Sequence, residues 1–338
     1  MVPRGADLSH YWAFEVWAII AEKGYPVSQG PGARRQTPRA AQTGVNRDMR
    51  LGVSISSTHA NDGPQLMIER ARVAHTAGFA SLSIGDHHNM SVPYSQNTPM
   101  LGRLLAEWHG RPAGCLFLVP LWHPLLMAEQ IGTLAAIHDD QFIVQVAVGW
   151  GADQFAAFGT SETERARTID AAVPIVKQLL AGEVVDSEFF NMVGGRVGLL
   201  PTNQPDWWVG AGVDRALQRA ASIGDVWYAA PGLTVTSAAE RLNRFRELGG
   251  TRAALRKDVL VLADGDTARA TADAILATGY RGLGRDQLII GNPDDAAEQL
   301  APYFAMGFDE VVIRCITVPQ DLALETLESL GSLVQPRC

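Results

Sequence analysis

Lysine is nearly absent: it occurs only at positions 23, 177 and 257, so arginine carries almost all the positive charge. A Schiff-base enzyme needs a lysine in its pocket, and none of the three falls at the end of an expected strand. Cysteine is equally scarce. Cys115, Cys315 and Cys338 are dispersed, odd in number and without CxxC spacing, which argues against a disulfide framework or a structural zinc site. A reducing cytoplasm is the expected compartment. The formal charge of −8 comes with no basic stripe, so no nucleic-acid partner is expected. Long apolar runs are missing too. Tyr11–Ile20 is short and contains Glu15, too short to span a bilayer and lacking the pattern of a signal peptide, so no membrane partner is expected. There is no GxSxG nucleophile elbow. No expected strand ends in the HxH pair of a barrel metallohydrolase, and no metal site is expected.

What the chain does have is alternation. Residues 1–48, rich in Gly, Pro, Arg and Gln after Tyr11–Ile20, read as a disordered or non-native N-terminal extension. Residues 49–338 read as the folded domain. Leu51–Ser57 forms a strand with Leu51, Val53 and Ile55 on one face and Gly52, Ser54 and Ser56 on the other. A second short strand through Phe79–Gly85 again divides Ala80, Leu82 and Ile84 from Ser81, Ser83 and Gly85. Further strands are expected at Ala113–Val119, Phe142–Val148, Trp207–Gly210, Asp225–Ala229, Asp258–Ala263 and Glu310–Arg314, with helices between them and no antiparallel hairpin. Eight such units imply a parallel sheet covered by helices: a (β/α)8 TIM-like barrel, with a doubly wound sheet as the alternative. The strand faces built from small or polar residues favour the barrel, whose interior is crowded.

In either fold the groups just past the carboxyl ends of the strands line the ligand site. The second strand ends in Asp86-His87-His88, a carboxylate followed by two imidazoles; the competing reading is a loop with two solvated histidines. Gly210-Ala211-Gly212, followed by Val213 and a helix, is either a tight turn or a cradle for a phosphate at the positive end of the helix. Gly149-Trp150-Gly151 is either room for a ligand or a bend. One acid, two histidines, aromatics and a glycine cradle suit an enzyme whose difficult chemistry belongs to a bound cofactor.

Several motifs, in this order, resemble the luciferase-like flavin-dependent monooxygenases and their coenzyme F420-dependent relatives. They are Gly85-Asp86-His87-His88; Trp122-His123-Pro124 through Ala128-Glu129-Gln130; Gly149-Trp150-Gly151 with Gln154-Phe155-Ala156-Ala157-Phe158-Gly159; Trp208-Val209-Gly210-Ala211-Gly212 with Gly224-Asp225; and Gly291-Asn292-Pro293. The resemblance spans Met49–Val334. It implies a luciferase-like barrel and a flavin-dependent oxidoreductase, a monooxygenase using reduced FMN and O2 on a small organic substrate. An F420-dependent dehydrogenase or reductase is the alternative, and a non-catalytic flavin-binding protein a more distant one. By the same resemblance His87, His88 and Asp86 are the catalytic residues, with His88 the acid–base group and Asp86 orienting its neighbours. Ser56, Leu116, Phe117, Gly149, Trp150, Gly151, Gly210, Ala211, Gly212 and Val213 are the cofactor contacts. Position 149 is Gly where luciferase has a phosphate-binding Arg, so that contact must come from elsewhere, Arg215 being one candidate, and Arg215 with Arg219 supports the F420 reading. A separate flavin reductase and a homodimer are the implied partners.

Overall fold

The computed structural model describes residues 49–55, 63–91 and 93–334. Ser56 and the whole of 1–48 lie outside the described residues.

Eight parallel strands close on themselves. In chain order the strands are β1 (Leu51–Ile55), β2 (Leu82–Ile84), β3 (Ala113–Leu118), β4 (Phe142–Ala147), β5 (Val185–Ser187), β6 (Met192–Gly195), β7 (Asp206–Gly210), β8 (Val226–Ala229), β9 (Arg252–Val261), β10 (Ile289–Gly291) and β11 (Glu310–Cys315). The ring runs β1-β2-β3-β4-β7-β8-β9-β11 and returns to β1, where Leu51 pairs with Val311 and Gly52 with Val312. This is the expected barrel; the open doubly wound sheet is excluded by the β11–β1 and β8–β9 pairings.

The helices between the strands start and stop where local chemistry dictates. Helix α1 (Pro64–Ala77) has proline in its first turn and ends at Gly78, whose φ of 97° only glycine adopts freely. Next come α2 (Asn97–Leu104) and α3 (Pro124–Ile137). The ring of His123 caps α3 by accepting the Leu125 N–H, which commits that imidazole to structure. Further on are α4 (Ala152–Ala157), α5 (Arg165–Leu180), α6 (Asp214–Ile223), α7 (Val235–Glu247), α8 (Gly265–Leu276), α9 (Pro293–Met306) and α10 (Gln320–Val334). No helix among the described residues is long and apolar enough to cross a membrane.

Two layers of core follow from the strand alternation. Phe117, Phe142 and Trp227 of the strands and Phe245 of α7 pack between barrel and helices with Phe79 and Phe308, essentially without exposure. Each contributes about 2 kcal/mol of hydrophobic stabilisation. Inside, Ile143, Trp208, Val226, Ala254 and Val312 plug the lumen. Below the plug Gly52 lets a fully buried Glu310 reach Arg50 at 2.7 Å and the Ser81 hydroxyl; a Cβ at position 52 would sit 2.3 Å from a Glu310 oxygen. The small face expected of β1 and β2 therefore exists to make room for a buried charge.

Three expectations fail. Val185–Ser187 and Met192–Gly195 form an antiparallel hairpin, hidden because strands of three and four residues are too short to show alternation. The seventh barrel strand begins at Arg252, not Asp258. Its early residues look like a loop because Arg252, Arg256 and Lys257 are charged, and only tertiary partners make them compatible with a barrel. Asp206 takes Arg252 through two hydrogen bonds of 2.9 Å. Finally, β10 pairs with the upper half of β9, an added strand on the long crossover between the last two barrel strands.

Candidate active site

Gly85 ends β2 without a side chain, and Asp86 turns toward β3. Its Oδ2 accepts the Leu118 N–H and the Trp122 indole N–H, both at 2.8 Å. Its Oδ1 lies 3.1 Å from His88 Nε2, although the two are not aligned as a hydrogen bond. His88 is enclosed between the rings of Trp122 and Phe158, with centroids at 5.9 and 4.8 Å. Its backbone N–H donates to Gln154 Oε1. The pair Asp86–His88 is thus a fixed, largely buried unit.

His87 has different company. The edge of Tyr94 meets its ring at 6.1 Å, and Gln96 donates to its carbonyl at 3.3 Å. Burial holds its pKa below the ordinary histidine value, against the pull of Asp86; the charges of His88 and Arg281 push it the same way as burial. A partly accessible imidazole kept neutral and facing charge from across the mouth is better placed for proton traffic than His88.

The glycine turns are both pinned open. Gly149 and Gly151 have φ of 70° and 103°, conformations that strain any other residue. Arg165 Nη1 donates to the Gly149 carbonyl at 3.1 Å and pairs with Glu162, which accepts the Gly151 N–H. Arg165 is thus the arginine that braces this turn. Trp150 between the glycines is 75% exposed, free to cover a ligand. At the second turn the buried Trp227 indole donates to the Ala211 carbonyl at 2.9 Å. Helix α6 then begins at Asp214, its N-cap residue Val213 offering no side-chain cap, and a Cβ on Gly212 would meet nothing within 4 Å. Uncapped N–H groups beside open space fit an anionic group such as a cofactor phosphate.

Not every expected contact converges. Leu116 and Phe117 alternate across β3, and Phe117 packs outward against Trp122 at 5.1 Å. Only its backbone can brace a ring in the lumen. Arg219 is buried against Asp170, 2.5 Å away, and so is unavailable to an anionic tail; its support for the F420 reading is withdrawn. Arg215 is exposed in the first turn of α6. Among the described residues no group of three or more His, Cys, Asp or Glu could hold a metal ion. Trp122 and Gln154 stand in the sequence motifs without a role, and Asn97 was missed: its buried amide donates to the Leu116 carbonyl at 2.6 Å. A Trp or Gln in an otherwise ordinary helix-leading segment carries no local signal of such a partner.

The family model described as luciferase-like monooxygenase matches residues 49–280. The chain belongs to this family. Among solved structures, this luciferase-like barrel superposes on an F420-dependent secondary alcohol dehydrogenase bound to an F420-acetone adduct. The TM-score is 0.71 at 14% identity, covering 86% of this chain and 100% of the other. The monooxygenase RslO1 of Streptomyces bottropensis gives 0.71 at 19% identity, covering 85% and 98%. The oxygenating constituent of 3,6-diketocamphane monooxygenase of Pseudomonas putida, in complex with FMN, gives 0.68 at 12%, covering 85% and 98%. An uncharacterized protein of Mycobacterium tuberculosis is 28% identical over a match covering 47% of this chain. That match spans 63% of the relative's own length.

Proposed function

We propose that this luciferase-like protein is a flavin-dependent oxidoreductase, a monooxygenase that uses reduced FMN and O2 on a small organic substrate. The observation that carries the reading is the pairing, on one barrel rim, of the Asp86-His87-His88 strand end with an uncapped, glycine-led helix N-terminus at Gly210–Val213. The first offers a neutral imidazole, the second an anion site. Bound there, reduced flavin would supply the electrons with which O2 is activated. Gly212, Val213 and the α6 N-terminus would hold its phosphate, Gly149–Gly151 and Trp150 would flank its chain, and Leu116 would lie against its ring. His87 would move a proton at the imidazole. Asp86 would hold the His88 ring and the β2–β3 junction in place, and Trp122 and Phe158 would exclude water around His88. A separate reductase would deliver the reduced flavin.

F420-dependent hydride transfer is the second reading, supported by the superposition on the F420-dependent alcohol dehydrogenase. Titration of the full chain with FMN and with F420, oxidised and reduced, tests both. Saturable FMN binding with substrate-dependent O2 uptake is expected. Failure of all four forms to bind would sink the oxidoreductase reading, and F420 binding with turnover but no O2 uptake would install the second.

A further inference from the structure

One buried amide in the barrel lumen is left without a hydrogen bond. Gln145 on β4 is 3% exposed, and its Nε2 has no aligned partner among the described residues. Four other buried polar atoms in this condition lie opposite one another in charged pairs, Asp86 with His88 and Arg256 with Asp258. Gln145 is neutral and belongs to no such pair. An unpaired buried N–H costs about as much as a good hydrogen bond contributes, so one that persists in a native fold calls for a reason.

Strand alternation fixes where the amide points. Ile143 is part of the lumen plug, and Gln145 follows it on the same face of β4, one layer nearer the mouth. Tyr228 stands likewise above Val226 on β8, its ring 5.6 Å from that of Trp208 in the plug. Gly210 of β7 pairs in register with Tyr228, and Leu116 of β3 with Gln145. The next lumen position above Gln145 is Ala147, and a Cβ on Gly210 would lie 3.4 Å from the Ala147 methyl. Two small, half-buried residues therefore leave the lumen open above the amide and the phenol.

The phenol keeps its proton. Burial raises the Tyr228 pKa to about 12 against the pull of Arg256; Asp258 and Glu310 add to the rise, and Gln145 works against it. Gln145 thus acts on the phenol oxygen, although its Nε2 is not aligned as a donor to it. At neutral pH Tyr228 is a donor with its hydrogen in place, half-buried between the Gly210 turn and the Leu116 strand.

We propose that the Tyr228 hydroxyl, positioned by the Gln145 amide, donates a hydrogen bond to a carbonyl oxygen of the ligand in the barrel mouth. Turned toward that acceptor, the phenol oxygen accepts from Gln145 Nε2, and the amide gains its partner only when the ligand is present. The two bonds then form a chain in which each strengthens the other. The carbonyl is that of the organic substrate or of a flavin-type ring, the chemistry being the same. The inference deepens the oxidoreductase reading by naming the group recognised, and it rests on that reading for the role of the mouth as active site.

The test uses the full chain with two probes, cyclohexanone and lumiflavin, the latter a flavin ring without ribityl chain or phosphate. Methylenecyclohexane, which has the shape of the ketone without its oxygen, is the control. Ligand NMR follows the ketone and control, and fluorescence quenching follows lumiflavin. Tyr228→Phe is expected to weaken at least one probe about fivefold to tenfold and to leave the control unchanged. Gln145→Leu is expected to weaken the same probe severalfold, and the double variant no more than Tyr228→Phe alone, because the amide acts through the phenol. Gln145→Leu is also expected to raise the denaturant midpoint of the ligand-free chain, since it deletes an unpaired buried donor; an amide serving the fold alone would lower it. A loss confined to cyclohexanone places the acceptor on the substrate, and one confined to lumiflavin places it on the cofactor ring; either upholds the donor. The proposal is overturned if neither probe binds the wild type, if Tyr228→Phe spares both, or if the control weakens in parallel. Losses that multiply in the double variant, or a lowered midpoint in Gln145→Leu, overturn it as well. Hydroxyl-dependent ketone binding in a chain that binds neither lumiflavin nor FMN upholds the donor and sinks only the flavin reading.

Discussion

Asp86 and Trp122 are joined by a 2.8 Å hydrogen bond from the indole N–H to Oδ2, across 36 positions of sequence. The same oxygen takes the Leu118 N–H, so one carboxylate ties the end of β2 to the end of β3 and to the segment entering α3. Its other oxygen faces His88. The strand end is divided in its contacts: Asp86 and His88 lie against each other in a buried frame, and the His87 ring meets Tyr94 instead.

Asp86→Asn tests the frame. The substitution leaves two buried N–H donors facing an amide in place of a carboxylate, and should cost about 1–3 kcal/mol of stability in urea unfolding. Turnover should fall about tenfold to a hundredfold, since small displacements of an acid–base group carry such losses. Full turnover in a destabilised variant would show that Asp86 serves the fold alone.

His87 is expected to set the acid limb of the pH profile. Its folded pKa lies below the ordinary 6.5 because burial disfavours the imidazolium. The linked stability is fully present above pH 6.5 and is lost as the pH falls through the lower folded value, where the folded state must take up a proton that the unfolded chain already holds. Activity dependent on neutral His87 should fall over the same range. In His87→Gln the surviving activity should lose this acid limb, and an unchanged limb would exclude His87 as its source.

Lys257 gives the opposite end of the scale. It is fully buried on β9, and its ammonium donates to the carbonyls of Leu233 at 2.6 Å, Gln287 at 2.9 Å and Pro231 at 3.3 Å. Burial pushes its pKa down from 10.5 to about 8, against the attraction of Asp258 and Asp286. Between these values the unfolded chain holds a proton that the folded one has released, so stability should rise with pH by about 3 kcal/mol across the window. Lys257→Met should be less stable than wild type at pH 7, and its chemical unfolding should lack that rise. A parallel pH dependence in the two proteins would place the titration elsewhere.

Gly52→Ala tests the lower end of the barrel. The added methyl would lie 2.3 Å from both the Glu310 carboxylate and the Ser81 hydroxyl, displacing a buried acid from Arg50. Burial already raises the Glu310 pKa, so the displaced group has no good alternative. A loss of about 2–3 kcal/mol is expected in denaturant unfolding. Near-wild-type stability would mean that the pair moves freely.

The strand periodicity, the glycine stops and the Asp-His-His strand end were legible because each is a local pattern: alternation needs only neighbours, and a helix cap needs only three or four residues. The same locality explains what was not legible. The charged start of β9 resembles a loop until Asp206, far away in sequence, neutralises Arg252. Arg219 looks like a contact for the anionic tail of F420 until Asp170 claims it.

By itself, then, the sequence determined the eightfold alternation, the small lumen face of β1 and β2, and the placing of Asp86, His87 and His88 at the mouth. Only the tertiary structure decided that His88 is caged between Trp122 and Phe158, and that Arg256 and Arg281 share the Asp258 carboxylate. The physical reason is that charge pairing and burial depend on distances through space. Closing the ring brings β9, β11 and the turn after α8 together, and no spacing along the chain records that meeting.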